Sequence, residues 1–132
     1  MADRRPFAIA GHALSSRLVL GTGGIQSLEV LDEVVAYVLS DLAGPDWAKG
    51  VGGRFELVVS GIALHNLRDR KLIFRCYDTI RELLVPEGCF IDCDYFEYAG
   101  GVGMHMTAME KAGFKRVECV WQEGAAAIVK AA

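Results

Sequence analysis

The sequence predicts an α/β fold with a mostly parallel sheet closed by a C-terminal antiparallel hairpin. Three observations lead there. The runs FELVVSGIAL (55–64) and CFIDCDYF (89–96) are largely apolar, which is how strands buried on both faces of a parallel sheet read. Between them Ile73, Tyr77, Ile80 and Leu84 recur at helical spacing, the inner stripe of a crossover helix. Beyond them, RVECVW (116–121) and AAAIVKA (125–131) flank Glu123-Gly124, a tight turn between two short strands.

Taken in order, residues 7 to 20 alternate short apolar runs with Gly11 and Ser15-Ser16, predicting two short strands and a turn. In LVLGTGGIQSLEVL (18–31) an apolar run meets a glycine turn, and a helix follows from Ser27 to about Leu39. Ser27 caps it, Glu29 suits its first turn, and Leu28, Leu31, Val35 and Val38 share a face. VVAYVL (34–39) is β-branched enough to read as a strand instead. SDLAGPDWAKGVGGR (40–54) is a loop, dense in Gly, Pro and Asp. A helix spans 70–85 with Asp69, Asp78, Arg81 and Glu82 facing water, and Pro86-Glu87-Gly88 stops it and turns the chain into the second strand. A short helix over 102–112 ends at Gly113.

A chain of 132 residues, 52% hydrophobic, is one globular unit with room for a core. We divide it into an N-terminal strand, glycine-turn and helix segment (1–39) and a core (40–132). A formal charge of -3 argues against a nucleic-acid partner; Arg68, Arg70, Lys71 and Arg75 cluster, but Asp69 interrupts them, as at a solvated helix start. No apolar run reaches the roughly 20 residues of a membrane span, and no signal-peptide pattern opens the chain, so the expected location is cytoplasmic. Cys76, Cys89, Cys93 and Cys119 form no Cys-x-x-Cys pair and have no histidine at zinc spacing. They are expected as free, reduced and mostly buried thiols, and no metal is expected.

Two resemblances cover different parts of the chain. SDLAGPDW, FELVVSGIALHNLRDR, LLVPEGCFIDCDYF and AMEKAGFKRVECVWQEGAAAIVKA resemble, in order, the second half of a class I S-adenosylmethionine-dependent methyltransferase. The matching parts are the acidic loop after strand 3, strand 4 with its exit, the turn into strand 5, and the hairpin of strands 6 and 7. The resemblance spans about two-thirds of the chain and implies a truncated Rossmann-like sheet. AIAGHALSSRLVLGTGGIQSLEVL (8–31) is similar instead to the N-terminus of bacterial thiazole synthase, in its Gly-x-x-x-x-Ser-Arg-Leu-x-x-Gly-Thr-Gly-Gly pattern. That enzyme is a barrel of eight units, which one strand-helix unit cannot make.

The methyltransferase resemblance implies S-adenosylmethionine as cofactor and assigns candidate residues. Gly21, Gly23 and Gly24 place a helix N-terminus before the methionine carboxylate, or form a tight strand-to-helix turn and nothing more. Asp41 corresponds to the carboxylate that approaches the adenine amino group, with Leu42 flanking the ring; read alone, Asp41 is a turn residue before Gly44-Pro45. Ser60 and Gly61 close strand 4, where an open α/β sheet presents ligands. His65 and Asn66 line the substrate side, since methyl transfer needs little acid-base help. Asp92 and Asp94 share a face of strand 5, with Tyr95 and Tyr98 beyond; Asp94 and Tyr95 line the substrate, or the acids accept backbone amides at the strand end. Trp47 and Trp121 supply packing area, and of the two the loop Trp47 is the better placed to touch a ligand.

The family's ribose-holding acid, which follows strand 2, has no counterpart between Gly24 and Ser40; Asp32 and Glu33 lie within the helical pattern. Three functional readings follow: a methyltransferase-like protein with a weakened cofactor site, taking a small-molecule substrate if active; a non-catalytic methyltransferase-like binding or remnant domain; and a thiazole-synthase-related fragment. With few covering elements for its sheet, the chain is expected to form a homo-oligomer through exposed sheet surface.

Overall fold

In the computed structural model the described residues are 7–9, 12–14, 17–20 and 40–132. The glycine turn at Gly21, Gly23 and Gly24 and the helix expected over 27–39 lie outside them. Where two N-terminal strands were expected there are three. β1 (Phe7–Ile9) and β2 (His12–Leu14) pair antiparallel, and β3 (Arg17–Leu20) joins the main sheet. Gly11 and Ser15-Ser16 lie outside the described residues.

β4 (Phe55–Gly61) and β5 (Leu84–Tyr95) continue that sheet, followed by β6 (Val117–Glu123) and β7 (Ala126–Ala131) in the order β3-β4-β5-β7-β6. β3, β4 and β5 run parallel; β7 is antiparallel to both its neighbours. The terminal hairpin turns at Gly124, whose φ of 59° suits glycine.

α1 (Arg70–Leu83) links β4 to β5 and starts where Asp69 accepts the N–H groups of Lys71 and Leu72 at 2.8 and 3.3 Å. Ile73, Tyr77 and Ile80 form its inner stripe as expected, joined by Cys76; Leu84 already belongs to β5. α2 (Val102–Lys111) ends before Gly113, at φ 109°. Among the described residues no helix is long and apolar enough to cross a membrane.

Two expectations are corrected here. Pro86-Glu87-Gly88 is not a turn: β5 passes through it, with the register to β4 slipping between Phe55 and Leu57. Five residues of β5 (84 to 89) advance against two of β4 (55 to 57), so the extra chain is taken up as an irregularity within the ladder. Nor is β5 buried on both faces, although β4 is in its middle, where the neighbours Leu57 and Val58 point to opposite faces and are both buried. From Cys89 onward β5 alternates: Phe90, Asp92 and Asp94 are buried, whereas Cys89, Ile91 and Cys93 are half-buried and Tyr95 is exposed. The cause is where the cover lies. α1, α2 and the 40–51 loop all contribute to one core with Val58, Phe90, Ala127 and Val129, side chains that strand register places on a single face. Burying each large side chain there contributes about 1.5–3 kcal/mol. Among the described residues no helix covers the opposite face.

The cysteines divide accordingly. Cys76 is buried, and burial pushes its thiol up to about 11. Cys89 and Cys93 are half-buried, and Cys119 is exposed on the edge strand β6 rather than packed in a core.

Candidate functional site

Because β3, β4 and β5 are parallel, their carboxyl ends share one margin of the sheet, where open α/β folds place ligands. The chain leaves β4 there under constraint. Ser60 is buried and Gly61 exposed, with nothing within 4 Å of where a Cβ would stand. Ile62 follows at φ 48° and donates its N–H to the Cys93 carbonyl at 2.7 Å, tying the exit of β4 to the end of β5. A short 3-10 turn, Leu64–Leu67, carries His65 and Asn66 and closes on Arg68 at φ 52°. Ile62 and Arg68 are the only non-glycine residues at positive φ among those described. A β-branched residue in that region is strained by about 1–3 kcal/mol, and such strain clusters at functional sites.

The end of β5 explains what the strain supports. Asp94 is 3% exposed. Its Oδ2 accepts the backbone N–H of His65 at 3.0 Å and its Oδ1 accepts that of Tyr95 at 2.8 Å. The same Oδ1 lies 2.6 Å from His65 Nδ1, an ion pair only when the imidazole is protonated, and the N–H direction is not aligned as a hydrogen bond. The His65 ring stands edge-on to Tyr95, centroids 5.5 Å apart. His65, Asp94 and Tyr95, expected on the substrate side, therefore meet in one cluster. Asn66 is exposed beside them and donates from Nδ2 to the Ile62 carbonyl at 3.4 Å.

Behind this cluster lies a buried polar chain that the sequence did not reveal. Tyr77 Oη is 2.7 Å from His105 Nδ1 and 3.5 Å from Asp92 Oδ2. Burial pushes the Asp92 carboxyl well above the usual carboxylate range, and the neighbouring Asp94 adds to it. Burial likewise lowers His105 to about 4, so its imidazole is neutral near pH 7. Asp92 Oδ1 and Ser60 Oγ, on residues paired across β5 and β4, are buried without a hydrogen-bond partner. The sequence signal was faint: Tyr77 sat in an apolar stripe, and nothing marked His105 as its partner.

The 40–51 loop is placed differently from its expectation. Asp41 accepts the N–H of Ala43 at 2.9 Å, the turn-forming alternative, and is exposed. Leu42 packs partly buried against the core rather than standing free to flank a ring. Arg75 donates to the Ala43 carbonyl at 2.7 Å and the Cys76 thiol to that of Leu42 at 3.7 Å, clipping the loop onto α1. The two tryptophans differ, and only Trp47 packs in the core. Trp47 is 4% exposed, held in the core beside Cys76, whereas Trp121 is 45% exposed because β6 is an edge strand. An open cleft of about 640 Å³ lies at the amino ends of β4 and β5 against Arg54 and Arg81, away from His65 and Asp94.

No family model and no curated protein matches this chain. Solved structures do. PigF with SAH superposes with a TM-score of 0.54 at 13% identity, covering 70% of this chain and 33% of PigF. Ribosomal protein L11 methylase from Lactobacillus delbrueckii subsp. bulgaricus gives a TM-score of 0.48 at 16% identity, covering 64% of this chain and 39% of its own. The chain thus spans about a third of the length of PigF. The likeness to PigF and the sheet order together show a Rossmann-like α/β fold of the class I methyltransferase type.

Proposed function

We propose that this chain is a methyltransferase-like domain that offers the carboxyl ends of β3, β4 and β5 to S-adenosylmethionine and holds it loosely. One observation carries the reading. At the open end of β4 and β5, a carboxylate fixed by two backbone amides (Asp94) faces a histidine held 2.6 Å away, beside the small Ser60-Gly61 exit. The donor set suits the group: a buried acid favours a cationic ligand, and Gly61 lets a ligand approach the backbone. When bound, the cofactor supplies a methyl group already activated by its sulfonium.

The chain's own residues then align and exclude. Ser60 and Gly61 shape the floor. Gly21, Gly23 and Gly24 supply backbone amides on the β3 side, as the sequence resemblance implies. Asp94 sets the position of His65, whose ring lines the acceptor side with Tyr95 and Asn66. A ring so held can also take a proton from an acceptor hydroxyl or amine, a positioning gain in either role. Asp41 and Leu42 border this site less directly, given the turn and core contacts described above.

A second reading, a non-catalytic methyltransferase-like binding domain, is favoured by one specific feature. Between Gly24 and Ser40 the acids available to hold ribose hydroxyls lie in a helical pattern, not after a strand. Methyl transfer from labelled S-adenosylmethionine to a panel of small hydroxyl and amine acceptors separates the two. Transfer lost in Asp94→Asn supports the first reading; no transfer to any acceptor and no detectable cofactor binding supports the second.

A further inference from the structure

We infer that Ile62 selects the methyl acceptor, its side chain receiving the apolar body, a ring or branched chain, that carries the reacting hydroxyl or amine. The inference rests on the reading of the β4 and β5 margin as a methyltransferase-like site.

The two residues at the exit of β4 stand in the wrong order for folding. Gly61 is outside the left-handed region, with nothing within 4 Å of where a Cβ would stand. Neither conformation nor crowding asks for glycine there. Ile62 follows at φ 48°, which glycine or asparagine adopts readily and a β-branched residue does not. Its side chain returns little in exchange, since Ile62 is 47% exposed and is no part of the core. A chain with a side chain before the bend and glycine at it would carry less strain. Open space at Gly61 and apolar bulk at Ile62 therefore answer to something outside the fold.

The backbone fixes where that bulk stands. Ile62 donates its N–H to the Cys93 carbonyl at 2.7 Å, and its own carbonyl accepts Asn66 Nδ2 at 3.4 Å. Ile62 is thereby pinned between the end of β5 and the turn that carries His65. Tyr95, 45% exposed, is the second large side chain left open at this margin, edge-on to the His65 ring. One exposed apolar residue is ordinary. Two at the ligand-binding margin of a parallel sheet point to an apolar ligand whose polar atom reaches His65. A polyol would leave its hydroxyls unmet against Ile62.

The test is methyl NMR of the full chain with isotope-labelled isoleucine, the Ile62 signal being the one missing from Ile62→Leu. Millimolar benzyl alcohol should move that signal saturably, and glycerol should not. Ile62→Asn should weaken benzyl alcohol binding at least about fivefold by ligand-detected NMR, whereas Ile62→Leu, still apolar, should keep most of it. In urea, Ile62→Asn should unfold at or above the wild-type midpoint, because asparagine tolerates the bend. Its affinity for S-adenosylhomocysteine should match wild type. An Ile62 methyl that ignores benzyl alcohol or answers glycerol equally overturns the proposal, as does unchanged binding in Ile62→Asn. A lowered urea midpoint would make Ile62 a folding residue, and lost S-adenosylhomocysteine affinity would put it on the cofactor; either overturns it too. Wild type that binds benzyl alcohol at Ile62 but never S-adenosylhomocysteine would support the apolar site and overturn the cofactor reading instead.

Discussion

The backbone N–H and the ring Nδ1 of His65 both meet the carboxylate of Asp94, 29 residues further along the chain, at 3.0 and 2.6 Å. The contact joins the exit of β4 to the end of β5, with the strained Ile62 beside it. It makes the sheet margin a defined site rather than two loose strand ends.

Asp94→Asn exchanges an acceptor oxygen for a donor opposite a backbone N–H, in a place where water does not reach. A buried donor left unmet costs about 1–3 kcal/mol. The urea midpoint should fall accordingly with its slope unchanged. An unaltered midpoint would show that the carboxylate does not hold the margin together.

The pH dependence of stability follows from two opposed groups. His105 is lowered to about 4 in the folded chain, so between about 4 and 6.5 the unfolded chain binds the extra proton and stability rises with pH. Asp92 is raised, so above its ordinary value near 3.8 the folded chain holds the extra proton and stability falls with pH. The two act in opposite directions in wild type. Asp92→Asn leaves the histidine alone, and urea melts from pH 4.5 to 6.5 should then rise by up to about 1.4 kcal/mol per pH unit. His105→Phe should give the opposite slope. Parallel profiles for wild type and both variants would contradict this assignment.

Gly88→Ala tests the bulged passage of β5. A Cβ there would stand 2.9 Å from Leu84 Cδ2 and 3.0 Å from the carbonyl oxygens of Phe55 and Val85. Two of these neighbours are backbone and cannot turn aside, so overpacking should cost about 1–3 kcal/mol. A thermal melt equal to wild type would mean that residues 86–88 form the open turn their sequence suggests.

The sequence reading succeeds where apolar period alone decides and fails where polar groups are buried. β4, α1, β5, α2 and the hairpin are legible because Ile73, Tyr77 and Ile80 keep helical spacing and the strands stay apolar between turn residues. In β5, however, hydropathy points to the wrong face. Asp92 and Asp94 are buried while Cys89, Ile91 and Cys93 are half-exposed, because hydrogen bonds from Tyr77, His65 and Tyr95 keep the acids inside. The candidate site was legible as residues (His65, Asp94, Tyr95) but not as contacts. The Tyr77–His105 bond depends on how α1 meets α2, which no local pattern encodes.

The cofactor and acceptor sides should respond to different substitutions. His65→Ala should leave affinity for S-adenosylhomocysteine nearly unchanged, since the ring lines the acceptor. Gly23→Val, which adds a branched side chain to the glycine turn expected from the sequence, should weaken it about tenfold or more. The reverse ranking in a binding assay would place the cofactor against His65 instead.

Calorimetric titration of the full chain with S-adenosylhomocysteine tests the central claim most directly. A ribose left without its charge-assisted carboxylate costs about 1.5–3 kcal/mol, one to two decades of affinity. The account predicts saturable binding with a dissociation constant of roughly 100 µM, weakened further by Gly23→Val. A low-micromolar constant would contradict the missing acid, and no binding at millimolar ligand would contradict the methyltransferase-like site itself.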